Sequence, residues 1–123
     1  MFKFFTMFFF MQMSISALAQ DKFQDFFETS FDCTKAHSKN EVLICSDKRL
    51  AELDYNLSET FWLAKKAAKD KIVFLKYSQE SWRAREKSCN DKECLLRWYY
   101  SRKKELENTI QTGSVFLQVN ADK

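Results

Sequence analysis

The chain of 123 residues carries 20 lysines and arginines against 17 acidic residues, a formal net charge of +3, with one glycine and no proline. So small a positive excess argues against the basic stripe of a nucleic-acid binder, and no nucleic-acid partner is expected. A β-rich domain needs many tight turns that usually require glycine or proline, so the composition predicts an all-α protein with few connections.

Residues 1–19 have the pattern of a secretory signal peptide. Lys3 supplies a positive charge, an apolar run covers residues 4–13, and the segment ends in the small-x-small cleavage pattern Ala-Leu-Ala. A membrane anchor is the alternative, but the run is shorter than the roughly 20 apolar residues that span a bilayer. We expect cleavage after Ala19, which leaves one domain over residues 20–123, periplasmic or secreted.

All four cysteines, Cys33, Cys45, Cys89 and Cys94, follow the predicted cleavage site. An even number of cysteines in an exported chain predicts disulfides. A zinc site is disfavoured, because structural zinc ligands usually come in more closely spaced cysteine pairs. A catalytic thiol needs a base, and the only histidine, His37, lies in a polar stretch that predicts an exposed loop. No metal or cofactor is expected.

The N-terminal part of the mature chain predicts two short helices. Residues 22–31 carry apolar residues at helical spacing. Ser38 and Glu41 form a capping box, which predicts the start of a helix over residues 39–45. The phenylalanines of the first segment are Phe23, Phe26, Phe27 and Phe31.

Two longer helices follow. Asp47 is a good N-cap for a helix over residues 48–69, and Asp70 for a helix over residues 71–88. An uninterrupted helix would be about 60 Å long, so we expect a break near residues 69–71. The predicted core-facing residues are Leu50, Leu53, Leu57, Phe61, Ala64 and Ala68 on the first helix, and Ile72, Leu75, Gln79, Trp82 and Glu86 on the second.

After a turn at Asn90 and Asp91, a last helix is predicted over residues 92–110, with Gly113 beyond its C-terminus. The C-terminal tail, residues 111–123, contains an apolar, alternating stretch that either packs on the helices or is disordered. The predicted core-facing residues of this helix are Leu95, Trp98, Tyr99, Arg102, Leu106 and Ile110.

These elements predict a small antiparallel helical bundle with three main helices and a short N-terminal helix, stapled by two disulfides. Short loops place the start of helix 48–69, the end of helix 71–88 and the start of helix 92–110 at one end. All the cysteines can reach that end. Local pairing, Cys33–Cys45 and Cys89–Cys94, is favoured, while crossed pairing stays open.

Several residues between and around the cysteines have the order and spacing that are found in a known family. They are Asp32, Leu53, Asp54, Gln79, Trp82, Tyr99 and Arg102. Over about residues 31–107 the chain resembles the LprI-type lysozyme-inhibitor N-terminal domain family. The resemblance implies a small exported helical domain and, for some members, binding and inhibition of lysozyme.

The chain departs from that family pattern after Trp82. Arg83 stands where the family usually has an apolar residue. Glu86 stands where an arginine is expected, and Arg85 comes one position earlier. The role of that arginine is therefore left open by the resemblance.

Acidic residues give no sign of catalysis. Glycoside hydrolysis needs two carboxylates at a common cleft, and nothing fixes two of Glu41, Asp54, Glu59, Glu80 and Glu86 together. The chain also lacks a phosphate loop, a histidine-rich metal motif and a nucleophile elbow. We expect a protein that is not an enzyme.

Several polar and aromatic residues on the predicted core-facing sides of the helices are expected to have structural roles. Asp54 and Arg102 predict an ion pair or hydrogen-bond network across helices. Trp82, Trp98 and Tyr99 are expected to pack inward.

Four residues are candidates for contact with a partner. Tyr100 lies off the predicted stripe and is the aromatic ring expected at the surface. The other candidates, Lys65, Lys66 and Lys69, belong to a lysine cluster that is most often a solvated face.

Two functions compete. The first is inhibition of a lysozyme by protein–protein contact at its substrate cleft, with an inserted lysine or arginine near the catalytic carboxylates. The second is an envelope scaffold or binding module of unknown target, which contacts another protein, a membrane or the cell wall.

Overall fold

The structure, a computed structural model, describes residues 27–115. The predicted signal peptide, Phe23 and Phe26 of the first predicted helix, and tail residues 116–123 lie outside the described residues. The described part is all-α: a 3₁₀ turn at Cys33–Lys35 is followed by α1 (Lys39–Ser46), α2 (Lys48–Ala67), α3 (Lys71–Ser88) and α4 (Lys92–Thr112).

Side-chain caps fix where the helices begin. The Ser38 hydroxyl accepts a hydrogen bond from the Glu41 amide at 3.0 Å and caps α1. Asp47, Asp70 and Asp91 cap α2, α3 and α4 in the same way. Because a side-chain oxygen satisfies amides that have no partner inside the helix, these positions are set locally. The predicted break between α2 and α3 is confirmed.

Gly113 ends α4 in the left-handed conformation, with φ of 72°. A Cβ at this position would lie 2.8 Å from Cγ of Lys69, so a side chain is excluded sterically as well as by backbone strain. The Gly113 carbonyl accepts a hydrogen bond from the Lys69 amide at 3.0 Å, which joins the ends of α2 and α4.

The three long helices run up, down and up, so that α2 and α4 are parallel and α3 is antiparallel to both. Lys92 and Asp47 form an ion pair of 2.8 Å between the starts of α4 and α2. Helix α4 packs most extensively on α2, and α3 packs less closely on both. None of the helices in the described part is long and apolar enough to cross a membrane.

The core has two clusters, one toward each end of the bundle. The cluster at the disulfide end contains Ile44, Leu50, Cys89, Leu95 and Tyr99. The cluster at the opposite end contains Ala64, Ala68, Phe74, Leu106 and Val115.

Both disulfides form between cysteines that are close in sequence. Cys33 pairs with Cys45 and Cys89 with Cys94, at Cα–Cα distances of 5.8 and 5.3 Å. The predicted local pairing is confirmed, and it fixes the N-terminal segment and the α3–α4 turn at the same end. Two disulfides in one small domain indicate an oxidising environment.

The predicted buried face of α3 is wrong. Ile72 is 82% exposed, and Leu75, Gln79 and Trp82 also face solvent. Glu86, predicted on the same stripe, is only half-buried. The apolar stripe of this helix therefore does not coincide with its buried face.

The inner face of α3 instead carries Phe74, Ser78, Ser81 and Arg85, of which Phe74 and Arg85 are fully buried. These residues follow each other at helical spacing, and the Ser78 hydroxyl, the Ser81 carbonyl and the Arg85 guanidinium form hydrogen bonds with α4. The hydropathy pattern misses this face because its burial depends on hydrogen-bond partners in another helix.

Two smaller predictions also fail. Residues 27–31, the described part of the predicted helix over residues 22–31, are not helical. On α4, Ile110 is partly exposed and Thr109 is buried instead. The Thr109 hydroxyl donates a hydrogen bond to the Ser114 carbonyl at 2.9 Å, which stabilises the turn at Gly113.

Candidate functional site

A cleft of about 410 Å³ opens between α2 and α3, because these two helices pack less closely than α2 and α4. Helix α4 forms its floor, and Ser30 and Phe31 of the N-terminal segment line it as well. We call it the aromatic cleft, after five of the residues that line it: Phe31, Phe61, Trp62, Trp82 and Trp98.

Two of these rings are strongly exposed. Trp62 on α2 is 62% exposed and Trp82 on α3 is 49% exposed. The Phe61 ring meets the Trp62 ring edge-on at 5.5 Å, and the Lys65 ammonium lies 4.9 Å above the Trp62 ring. Trp82, predicted to pack inward, therefore presents its ring to solvent at the cleft.

Trp98 is held in place at the cleft. Its indole N–H donates a hydrogen bond to the Ser81 carbonyl at 3.1 Å, which joins α4 to α3. Its ring also packs edge-on against Tyr99 at 5.1 Å. This prediction of an inward-facing tryptophan is consistent with its partial burial.

Arg85 is the central cation of the cleft wall and is only 4% exposed. Its guanidinium carbon lies 5.2 Å from the Trp98 ring centroid and 5.8 Å from that of Trp82. It donates hydrogen bonds to Glu86 at 2.7 Å and to the Tyr99 hydroxyl at 3.4 Å. The ion pair and the two rings compensate for the removal of this charge from water.

Sequence reasoning left the role of Arg85 open, because the family pattern places an arginine one position later. A usable signal was present in the sequence. Arg85 follows Phe74, Ser78 and Ser81 at intervals of three or four residues, which places it on one helical face with small polar residues.

Asp54 and Tyr99 form the buried acidic part of the network. The Tyr99 hydroxyl donates to Asp54 Oδ1 at 2.8 Å, and the Ser30 amide donates to Asp54 Oδ2 at 2.6 Å. Burial, and secondarily the negative charge of Asp54, raises the pKa of Tyr99 far above its ordinary value, so the phenol stays protonated. The network fixes the N-terminal segment on the bundle.

Arg102 lies deeper in the cleft and has different partners from those expected. It donates to Ser78 at 2.8 Å and forms an ion pair with Glu105 at 3.0 Å. The predicted network across helices exists, but Arg102 and Asp54 each bond to other residues within the described part of the chain. Burial raises the pKa of the nearby Tyr77 hydroxyl, and the negative charge of Glu105 adds to the shift.

The remaining family-motif residues lie away from the cleft. Asp32 accepts a hydrogen bond from the Thr34 amide at 2.9 Å and begins the 3₁₀ turn, and that bond and the one from the Thr34 hydroxyl lower the pKa of its carboxyl. Leu53 packs on the core cluster at the disulfide end. Gln79 is exposed on α3. The structure therefore gathers Asp54, Trp82, Tyr99 and Arg102, and not these three, around the cleft.

The four candidate partner-binding residues do not form one surface. Lys65, Lys66 and Lys69 lie where α2 ends. The Tyr100 hydroxyl instead accepts a hydrogen bond from Arg49 at 2.8 Å, near the start of α2. Arg49 and Lys65 are separated by about 24 Å along the helix.

The histidine and the acidic residues singled out from the sequence lie in different places. Of the acidic residues, Glu41 lines the cleft together with Asp54. His37 is exposed and lies 3.8 Å from Glu41. Glu59 and Glu80 lie on exposed helix faces. Within residues 27–115, no group of three or more histidine, cysteine or acidic side chains is placed to hold a metal ion.

Fold and cleft together define a class: a small, disulfide-linked helical bundle with a half-open aromatic cleft supported by buried arginines. Comparison of the chain with protein-family models, with curated proteins and with solved structures gave no match in any of the three.

Proposed function

We propose that the chain is an exported binding protein without catalytic activity, and that it inhibits a lysozyme through the aromatic cleft. The observation that carries the proposal is the pair of exposed tryptophans, Trp62 and Trp82, at the opening of a preformed cleft. Tryptophan and arginine dominate the energetics of protein–protein interfaces, and a rigid cleft loses little entropy on binding.

Export is supported by two independent features. The first 19 residues have the composition of a signal peptide. The disulfides Cys33–Cys45 and Cys89–Cys94 require an oxidising compartment. A periplasmic or secreted protein has access to the lysozymes that attack cell walls.

Binding without catalysis is supported by the state of the cleft carboxylates. Among the described residues, two carboxylates line the cleft, Asp54 and Glu41. Asp54 accepts hydrogen bonds from Tyr99 and Ser30, and Glu41 lies 3.8 Å from His37. A general acid or a nucleophile for glycoside hydrolysis needs a carboxylate that reaches the substrate. The Asp54 carboxylate is used to hold the fold.

Lysozyme as the target follows from the resemblance to the LprI-type family, and the structure suggests which cation participates. Arg85 and Arg102 are buried and paired, so neither is free to enter a partner. Arg83 is exposed and directly follows Trp82 on α3. We assign Arg83 as the cation that approaches the catalytic carboxylates of the lysozyme.

A lysis assay with the processed, oxidised protein tests this proposal. The wild-type protein should slow lysis of cell-wall substrate by lysozyme. Trp82→Ala should raise the concentration needed for half-inhibition at least about tenfold, since an interface tryptophan contributes about 2 kcal/mol or more. Arg83→Ala should raise it by a smaller factor.

Tyr100→Ala is the matched control, because Tyr100 is also an exposed aromatic residue but lies outside the cleft. It should leave inhibition within about twofold of wild type. Undiminished lysis at excess wild-type protein removes that lysozyme as the target. Equal losses in the Trp82 and Tyr100 variants remove the cleft as the binding surface.

A further inference from the structure

The end of the bundle where α2 turns into α3 differs in charge from the rest of the chain. Residues 62–76, which we call the α2–α3 tip, contain five lysines and one acidic residue, Asp70. The net charge of this segment is +4, whereas that of the whole chain is +3. All the excess positive charge of the protein is therefore concentrated in 15 of its 123 residues.

The charges of the tip are not neutralised by acidic partners. None of its lysines forms an ion pair with a residue in the described part of the chain. The Asp70 carboxylate accepts hydrogen bonds from the Ile72 and Val73 amides, since it caps α3. Only Lys71 is engaged in a cap, and it donates to carbonyls at the end of α2, including that of Lys65 at 2.9 Å.

Large apolar side chains lie exposed among these lysines. Trp62 is 62% exposed, Leu63 is 59% exposed, and Ile72, in the first turn of α3, is 82% exposed. Leu63 and Ile72 do not line the aromatic cleft. Exposed apolar groups placed beside unpaired cations are the composition of a surface that lies in a membrane interface.

We propose that the α2–α3 tip binds the surface of an anionic lipid bilayer. Leu63 and Ile72 enter the boundary between headgroups and acyl chains, and the Trp62 ring lies at the headgroup level, where tryptophan is favoured. Lys66, Lys69 and Lys76 extend toward lipid phosphates, because a long alkyl stem lets the ammonium stay in the polar layer.

The shape and the chemistry of the tip favour a bilayer over other anionic partners. The tip is the turn between two antiparallel helices, a convex end, and a deformable lipid surface accommodates it without a complementary cavity. A nucleic acid or a soluble polyanion satisfies the lysines but leaves Ile72 and Leu63 in water. The proposal does not rest on lysozyme inhibition, and apart from Trp62, which also lines the cleft, it uses residues outside the cleft.

Vesicle co-sedimentation of the processed, oxidised protein tests the proposal. The protein should pellet with vesicles of phosphatidylglycerol and phosphatidylcholine, and much less with vesicles of phosphatidylcholine alone. Pelleting should weaken as salt rises, because the attraction is partly electrostatic. Tryptophan fluorescence should shift to shorter wavelength on binding, and Trp62→Phe should remove most of that shift.

Paired variants separate the tip from general charge effects. Lys66→Glu with Lys76→Glu should lower the partition coefficient at least about tenfold, since each lysine near an anionic surface contributes about fivefold. The double variant Lys35→Glu, Lys39→Glu makes the same charge change at the opposite end of the bundle. It should alter the partition coefficient by no more than about twofold. Circular dichroism confirms that the variants are folded.

A second pair of variants tests the contribution of apolar side chains to vesicle binding. Ile72→Ser should lower the partition coefficient about tenfold, because it removes a side chain that becomes buried in lipid. Val42→Ser, at an exposed valine of α1 near the disulfide end, should leave it unchanged. An unchanged partition coefficient in Ile72→Ser overturns the proposal, because the binding is then a charge attraction alone.

Three further outcomes also overturn it. They are absence of pelleting with phosphatidylglycerol vesicles, equal losses in the two charge-reversal variants, and full displacement from vesicles by a low concentration of heparin. Lysozyme inhibition should be retained by the Ile72→Ser variant. Because Ile72→Ser should weaken vesicle binding and leave inhibition unchanged, the two assays test the two proposals separately.

Discussion

Helices α3 and α4 pack on the same partner, α2, but use their apolar residues in opposite ways. Helix α4 buries its stripe, with Leu95 and Leu106 fully enclosed. Helix α3 buries Arg85 and leaves Ile72 and Trp82 exposed. In α4, which stabilises the fold, apolar residues are buried. In α3, which faces the partner in our proposals, apolar residues are exposed.

This difference has an energetic consequence. Apart from the hydrogen bond between Tyr99 and Asp54, the α2–α4 contact is apolar, and it carries much of the stability through burial. The α3–α4 contact depends on hydrogen bonds of Arg85, Ser78 and Trp98, whose net contributions are smaller but which fix orientation. Two predictions test this division between the helices, and two more test the disulfides and the buried Tyr99.

The first compares one leucine from each helix. Leu106→Ala on α4 should lower the free energy of unfolding by about 3 kcal/mol, since it leaves a cavity in the core. Leu75→Ala on α3 should lower it by less than about 1 kcal/mol, because that side chain is already 40% exposed and its removal leaves no closed cavity. Urea denaturation with both disulfides intact measures both. Equal losses contradict the division between the helices.

The second compares neighbouring arginines of α3. Arg85→Ala should lower the free energy of unfolding by about 2–3 kcal/mol, because it removes the ion-pair partner of Glu86 and a donor to the Tyr99 hydroxyl. Arg83→Ala should change it by less than about 0.5 kcal/mol, since Arg83 is exposed. Thermal denaturation of both variants provides the measurement. A loss in Arg85→Ala no larger than in Arg83→Ala shows that the network contributes no stability.

The third compares the two disulfides, which cross-link sequence separations of 12 and 5 residues. Because a longer loop restricts the unfolded chain more, Cys33→Ala should cost about 3 kcal/mol and Cys94→Ala about 2 kcal/mol. Calorimetric melting should therefore show the lower Tm for Cys33→Ala. A lower Tm for Cys94→Ala, or equal Tm values for the two variants, shows that loop length does not determine how much each disulfide stabilises the protein.

The fourth uses pH to probe the floor of the cleft. Burial holds the pKa of Tyr99 in the folded state above the value of 10.0 expected in the unfolded chain. The unfolded state therefore releases this proton first, so the stability contributed by Tyr99 is complete below pH 10 and falls as the pH rises further.

Above about pH 10, wild type should lose about 1.4 kcal/mol more per pH unit than Tyr99→Phe, which has no phenol to ionise. Urea unfolding between about pH 9 and 11 measures the two slopes, and Tyr100→Phe serves as the exposed control. If the free energy of unfolding falls equally with pH in wild type and in Tyr99→Phe, the Tyr99 hydroxyl is in contact with solvent.

Much of the fold follows from local sequence. Ser38, Asp47, Asp70 and Asp91 satisfy helix amides within three residues, so the helix starts are predictable without knowledge of the tertiary structure. Gly113 marks the end of α4 for an equally local reason. The short separations favour the local disulfide pairing, whereas the antiparallel order of the helices brings all four cysteines to one end and leaves crossed pairing open.

The candidate site is less predictable because it depends on pairs distant in sequence. Tyr99 meets Asp54 across 45 residues and Arg85 across 14 residues. Hydropathy assigns Ile72 and Trp82 to the core, since no local signal reports that α3 buries a polar face. The helical spacing of Phe74, Ser78, Ser81 and Arg85 is visible in the sequence, but the partners on α4 are needed to show that this face is buried.

Hydrogen–deuterium exchange of the oxidised domain, with and without excess lysozyme, tests most directly whether the α2–α3 side is the binding surface. Slower exchange is expected in peptides covering residues 58–66 and 75–86, which border the cleft, and unchanged exchange in α1. Protection limited to the surface around Arg49 and Tyr100, or no protection while lysis is inhibited, contradicts the assignment.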